Sequence, residues 1–298
     1  MAVWVCRRCK FTADEPWEDI CPGCRGFYRW QKVGVDTKEQ KARSTFAASA
    51  TIANVEHVPT GVAGLDYILT GGLVPGDVIQ FGGFRGAGKT TLLVTAQDAL
   101  SRRRKCLYAS SEQSDESIIQ IAKRAGLTSD NVVVYGNQKY IEDTLEIVKR
   151  ERPFCVVYDS LQKYVSRGCA GAAGSASQGT AVSSLIKEDC REAKRAGVVV
   201  NQMSRAGDLK GGTDVEHDLD CILILAYPGP KHEDAPGSSD EGIRVLTVDK
   251  NRNGSENLHN YWKMHGEMDE RPGTIEWVPQ RSLLDEEEPK GKYRMREG

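Results

Sequence analysis

Short apolar runs alternate along this chain with longer stretches in which apolar residues recur every three or four positions. The runs at 78–81, 106–110, 132–135, 154–159 and 198–201 have strand length and favour β-branched and aromatic residues. Between them, 91–101, 116–125, 141–151 and a segment ending near 196 carry the helical period. Ile118, Ile119 and Ile121 supply the apolar positions of the second helix, and Pro153 follows the third. Strand alternating with helix predicts an α/β domain with a mainly parallel sheet covered on both faces. Runs at 221–227 and 243–249 follow with only a polar, Pro- and Gly-containing segment at 228–242 between them. They predict antiparallel strands added at one edge of the sheet. Leu65, Ile68 and Leu69 suggest a short helix before the glycine-rich turn that leads to position 78.

The flanks break this pattern. We divide the chain into a cysteine-containing module at 1–33, a polar linker at 34–57, an α/β core at 58–279 and a charged tail at 280–298 that is expected to be disordered. Within the core, 168–179 is rich in Gly, Ala and Ser and is expected to be mobile, and 203–218 is a polar loop. The chain has 298 residues, enough for one large domain and a small module. A net charge of −2 excludes a uniformly basic protein, so nucleic acid would have to be met by local patches. No apolar stretch reaches the roughly 18 residues of a membrane span, and Met1 to Cys6 lack a secretory pattern. Nine cysteines, several in or beside apolar runs, suit a reducing cytoplasm better than a disulfide framework.

Cys6-x-x-Cys9 and Cys21-x-x-Cys24 have the spacing of a four-thiolate zinc site. A module this small buries little, so Zn2+ would supply much of its folding energy. Redox chemistry is the weaker reading, because no βαβ pattern surrounds the pairs. The module mixes Arg7, Arg8, Lys10, Arg25, Arg29 and Lys32 with Trp4, Phe27, Tyr28 and Trp30. That set suits single-stranded nucleic acid or simply solvated charge around a minimal core.

The strongest motif follows the first strand of the core. Gly83-Phe84-Arg85-Gly86-Ala87-Gly88-Lys89-Thr90 is a phosphate-binding loop in its strand–loop–helix setting, with Thr91 opening the helical pattern. Glycines let the backbone N–H groups turn toward phosphate oxygens, and the helix N-terminus adds partial positive charge. Lys89 would reach the terminal phosphates and the Thr90 hydroxyl would hold Mg2+. Asp159 ends an apolar strand and is the candidate metal acid; alone it would read as an ordinary strand-ending Asp. Glu112 follows the strand after the loop helix and could polarise water, although composition does not separate it from Glu116. Gln202 ends a later strand and could sense the terminal phosphate. The loop after it carries Arg205 and Lys210, either to follow a phosphodiester backbone or as plain surface charge. Lys250 and Arg252 could touch a phosphate in a neighbouring subunit or be surface charges on a hairpin.

Taken in order, these features resemble one family. The two cysteine pairs, Thr60-Gly61 with Gly64-Leu65-Asp66, Gly71-Gly72, Pro75-Gly76, the phosphate loop, Tyr108 to Ser114, Val157-Tyr158-Asp159-Ser160 and Lys250-Asn251-Arg252-Asn253-Gly254 resemble the bacterial RadA (Sms) repair ATPases. The resemblance covers about residues 4–278 and implies a RecA-like core that binds ATP and Mg2+ beside a zinc module. It further implies Glu112 as the catalytic glutamate, Asp159 as the Walker B acid, Gln202 as sensor, and Lys250 and Arg252 as groups that reach ATP across a subunit interface. The implied partners are single-stranded DNA, further copies in a hexameric ring or filament, and recombinase or helicase proteins. The implied activity is branch migration or unwinding in recombination. Two departures stand out: Asn253 occupies a position where the family has Phe, and the chain ends where RadA continues into a Lon-like domain, as expected of a short form. A KaiC-like ATP-dependent switch whose zinc module docks a protein is the alternative, and a replicative-type helicase a third.

Overall fold

The computed structural model describes residues 2–6, 12–13, 21, 30–34, 55–203, 219–229, 242–266, 269, 271 and 273–278. The chain divides into two compact units, Met1–Asn54 and Val55–Gly298. In the first unit, β1 (Ala2–Cys6) pairs antiparallel with both β2 (Thr12–Ala13) and β3 (Trp30–Gly34). Cys6 ends β1 opposite Trp30, and both Cys6 and Cys21 are buried. Cys9 and Cys24 lie outside the described residues, as do Arg205, Lys210, positions 35–54 of the linker, position 279 and the tail at 280–298.

The second unit holds a nine-stranded sheet in the order β12-β11-β10-β9-β4-β8-β7-β5-β6. In chain order its elements are α1 (Ala63–Ile68), β4 (Val78–Gly83), α2 (Lys89–Ser101), β5 (Cys106–Ser110), α3 (Asp115–Arg124), β6 (Val132–Tyr135) and α4 (Ile141–Glu151). Then come β7 (Cys155–Asp159), α5 (Ala176–Ala193), β8 (Ala196–Gln202), β9 (Cys221–Ala226), β10 (Ile243–Asn251), β11 (His259–Met264) and β12 (Ile275–Val278). Strands β4 to β9 pair in parallel, and β10, β11 and β12 extend the sheet antiparallel from β9. Strand β10 is antiparallel as the pattern predicts, whereas β9, expected as an added antiparallel strand, runs parallel to β4.

Strand periodicity explains why the sheet is buried twice. Cys106, Tyr108, Cys155, Val157, Val198 and Val200 join one core with Leu92, Leu93 and Ile118 of α2 and α3. The alternate residues Leu107, Ala109, Val156, Tyr158 and Val199 join a second with Ile141 and Leu145 of α4 and Val182 and Ile186 of α5. Among the described residues no helix is long and apolar enough to cross a membrane.

Several boundaries differ from the sequence reading. Helix α2 begins at Lys89 rather than 91, because Gly88 is left-handed (φ 99°) and opens the helix directly after the loop. The stretch at 168–179, expected to be mobile, supplies the first residues of α5. Gln178, also in that stretch, ties it down by accepting from Ser166 N at 2.8 Å and donating to Cys169 O at 2.7 Å. Helix α5 stops at Ala193, where Lys194 turns left-handed (φ 50°), and β8 starts at Ala196. Of the isoleucines placed on α3, Ile118 is fully buried and Ile119 is exposed. Strand β10 continues to Asn251, so Lys250 sits in the strand and not on the turn.

Strands β11 and β12 carry the tryptophans against which α1 packs. A methyl added at Gly64 would lie 2.5 Å from Trp277 Cγ and 2.8 Å from Trp262 Cζ2. Gly64→Ala therefore overpacks this contact and should destabilise the second unit by about 1–3 kcal/mol, read as a lower midpoint in urea unfolding.

Candidate nucleotide site

The site gathers at the carboxyl ends of β4, β8, β7 and β5, four consecutive strands of the sheet. Gly83 ends β4, and Gly88 closes the loop beside Met264 of β11. Its left-handed backbone (φ 99°) strains any residue but glycine there. The first-turn N–H groups of α2 have no carbonyl of their own helix to reach, which gives the loop its anion-binding character. Lys89 is buried and its Nζ donates to Gly83 O at 2.8 Å and Phe84 O at 2.9 Å. Burial lowers its pKa against the raising pull of Asp159 and Glu112.

Asp159, at the end of β7, is 5% exposed. Its Oδ2 accepts from Tyr108 OH at 2.6 Å and from Thr90 Oγ1 at 3.4 Å. Burial lifts the carboxyl above its ordinary range, with Glu112 adding to the rise, while the Tyr108 hydrogen bond and Lys89 oppose it.

Glu112 stands on the loop after β5, held there by Ser110 Oγ, which accepts from Glu112 N at 3.2 Å and Gln113 N at 3.0 Å. Its carboxylate accepts from Ser160 Oγ at 2.5 Å and from Gln202 Nε2 at 3.1 and 3.2 Å. Glu116, the other candidate acid, lies in the first turn of α3 with Ser114. A cleft of about 450 Å3 is lined by Arg85, Thr90, Glu112, Asp159 and Gln202 among others. The donor set fits a nucleoside triphosphate with Mg2+: an ammonium and helix N–H groups for phosphate, a hydroxyl and a carboxylate side by side for a hard cation, and a second carboxylate for water.

A family model described as "ATPase: KaiC" matches residues 58–166. The protein named "DNA repair protein RadA" of Aquifex aeolicus is 31% identical over 260 residues, covering 85% of this chain and 55% of its own. The Escherichia coli protein of that name is 31% identical over 270 residues, with 85% and 56% covered. The chain belongs to the RadA family. It spans little more than half the length of these relatives. The RadA-family core has a RecA-like fold. It resembles a KaiC-like protein of Pyrococcus horikoshii (TM-score 0.58, 14% identity, 76% of this chain and 100% of the other). It also resembles a DnaB-like replicative helicase (TM-score 0.59, 18% identity, 75% and 62%).

Of the residues singled out from the RadA-like motifs, the structure brings together Lys89, Thr90, Glu112, Asp159 and Gln202. It does not bring Lys250 and Arg252 to them. Strand register pairs Ile79 with Cys221 and Cys221 with Asn251, at the end of β4 opposite the phosphate loop. The intervening length of β4 is about 13 Å at the usual strand rise. Arg252 Nη1 instead donates to Asp220 Oδ1 at 3.0 Å. Tyr108 and Ser160 were missed as site residues although both lie in the quoted motifs. A strand Tyr and a Ser after a strand-ending Asp carry no distinctive spacing.

The buried carboxylate has a thermodynamic signature. Because the folded-state pKa of Asp159 is raised, its ionisation opposes folding. The penalty is absent at acid pH and complete once pH exceeds the folded value. Asp159→Asn should therefore raise the melting temperature at pH 7–8 by a few degrees in the absence of nucleotide, with a smaller gain as pH falls. The same variant should lose ATP turnover.

Proposed function

We propose that this chain hydrolyses ATP at a site completed by a neighbouring copy and uses the cycle to grip and release single-stranded DNA in recombinational repair. The observation that carries this reading is the hydrogen bond of Gln202 to Glu112, because it joins the water-activating acid to the segment that follows β8. Lys89 exchanges the carbonyls of Gly83 and Phe84 for the terminal phosphates of ATP. Thr90 and Asp159 would hold Mg2+, which when bound would neutralise phosphate charge. Glu112 orients and polarises the attacking water while Ser160 Oγ steadies its carboxylate. Gln202 competes between Glu112 and the terminal phosphate, so loss of that phosphate is felt at the loop bearing Arg205 and Lys210, which contacts DNA.

Lys250 and Arg252 supply cations to the neighbour's ATP, which implies a head-to-tail ring or filament. Cys6, Cys9, Cys21 and Cys24 would hold Zn2+ in the amino-terminal module, a ligand set suited to the reducing cytoplasm. The DNA-repair role follows from likeness to the RadA relatives, which are DNA repair proteins.

ATP turnover measured with and without single-stranded DNA tests this. Stimulation by DNA that fades with added salt is expected. Glu112→Gln should lower kcat by at least a factor of about 10² with ATP binding retained. Gln202→Ala should lose the DNA stimulation. A KaiC-like switch is favoured by the family-model match at 58–166 and gives the opposite outcome, slow turnover indifferent to DNA. Metal analysis should find about one zinc per chain, lost in Cys24→Ser.

A further inference from the structure

The turn at 252–254 is tied into the fold by contacts that the nucleotide site does not need. Asp220 is the hub. Its side chain is 6% exposed, and its Oδ1 accepts from Arg252 Nη1 at 3.0 Å and lies 3.5 Å from Lys187 Nζ. Its Oδ2 accepts from Val78 N at 3.1 Å, its own N–H donates to Val78 O at 3.0 Å, and its carbonyl accepts from Arg252 N at 2.9 Å. A second tie joins the next residue of the turn: Asn253 Nδ2 donates to Asp77 Oδ2 at 2.5 Å. Asp77 immediately precedes β4, so two acids beside Val78 hold two consecutive residues of the turn.

This arrangement is expensive for a plain surface turn. Burial raises the Asp77 carboxyl, and Asp220 nearby raises it further. A buried ion pair such as Asp220 with Lys187 stabilises a fold less well than apolar packing would. What the two acids do provide is direction. Asp220 engages Arg252 through both its guanidinium and its backbone, while 45% of the Arg252 side chain remains exposed. A planar guanidinium gripped in this way has a defined orientation for its other donors.

We propose that Asp220, with Asp77 as a second strut through Asn253, positions the turn at 252–254 so that Arg252 meets the nucleotide of a neighbouring copy. This rests on the composite-site reading above. Asp220 and Asp77 are positioning residues: they act through Arg252 and Asn253. Asn253 thus takes over, by a hydrogen bond, the anchoring of a turn whose family counterpart carries Phe.

Subunit mixing separates this role from a merely structural one. Asp220→Asn keeps the shape and an acceptor for Val78 N but removes the charge that holds Arg252. Alone it should lower kcat for ATP on the order of ten- to a hundredfold, as misplacement of a transition-state group does, with KM little changed. Mixed with Lys89→Ala, which has a dead site but an intact turn, it should regain turnover well above the average of the two separate proteins. Its intact site then meets the Lys89→Ala turn. If Asp220 mattered only for its own β4 and phosphate loop, the mixture would show no gain, and the proposal would fail. Arg252→Ala mixed with Lys89→Ala is the control. Recovery there without recovery for Asp220→Asn overturns the positioning role alone. No recovery in either mixture overturns the composite site as well. Should Asp220→Asn unfold, Asn253→Ala, which cuts only the Asp77 strut, takes its place with the same expected recovery and the same failing result.

Discussion

Strand β4 has neighbours on both sides that run in its own direction, and this sets where every functional group can be. All six of its residues are buried, so it can neither shift nor slip without disrupting both cores. Its carboxyl end becomes the phosphate loop, and its parallel neighbour β8 delivers Gln202 to the same edge of the sheet. Strands β7 and β5, next in order, deliver Asp159 and the loop of Glu112 there. The first antiparallel strand, β10, must send the end bearing Lys250 and Arg252 the other way. Strand polarity alone thus separates the cations of the turn from the acids of the site.

The carboxyl edge holds its charges under tension. Lys89, Glu112 and Asp159 act on one another electrostatically: the cation lowers the Asp159 carboxyl and the acids raise the Lys89 ammonium, while burial opposes both charges. Tyr108 and Thr90 soften this at Asp159, and Ser160 and Gln202 do so at Glu112. Such a cluster is not a stabilising device. It is a set of groups held short of full satisfaction, which a polyanion with its divalent cation satisfies better than the protein does.

Sequence alone made the parts with local spacing legible. The phosphate loop is a run of neighbours whose order follows from the shape of a polyphosphate, and Asp159 stands out by ending an apolar run. The β-α alternation made the parallel sheet legible, and the absence of a helix between the runs at 221–227 and 243–249 made the antiparallel pairing of β10 legible. Strands β11 and β12 were not singled out, and Asn260 shows why for β11. It is buried next to Tyr261 and Trp262 because it donates to Gly64 O at 2.7 Å and accepts from Trp262 Nε1 at 2.7 Å. A satisfied buried amide removes the polar-apolar alternation that marks a strand. Tyr108 and Asp159 are 51 residues apart, and Asn253 and Asp77 are 176 apart. Polar contacts over such separations leave no trace in local spacing, so the partners that tune the site emerged only with the fold. Glu112 was separated from Glu116 in the same way, by Ser160 and Gln202 arriving from other strands.

The separation of the two ends of β4 also limits how copies can combine. If the turn of one copy serves the phosphate loop of another, the two contacting surfaces are different patches on the same molecule. Such a contact is heterologous, and it cannot close as a two-fold dimer. It continues head to tail until a ring closes or a filament grows. Each copy then has one strand, β4, with its own nucleotide at the carboxyl end and, through Asp220 and Val78, the group it lends to its neighbour at the amino end. A rigid strand buried on both faces links the two without requiring any chain of moving side chains between them. Displacement of the phosphate loop relative to the sheet in one copy would thereby be registered against the turn of the same copy, and so against the next site along the assembly.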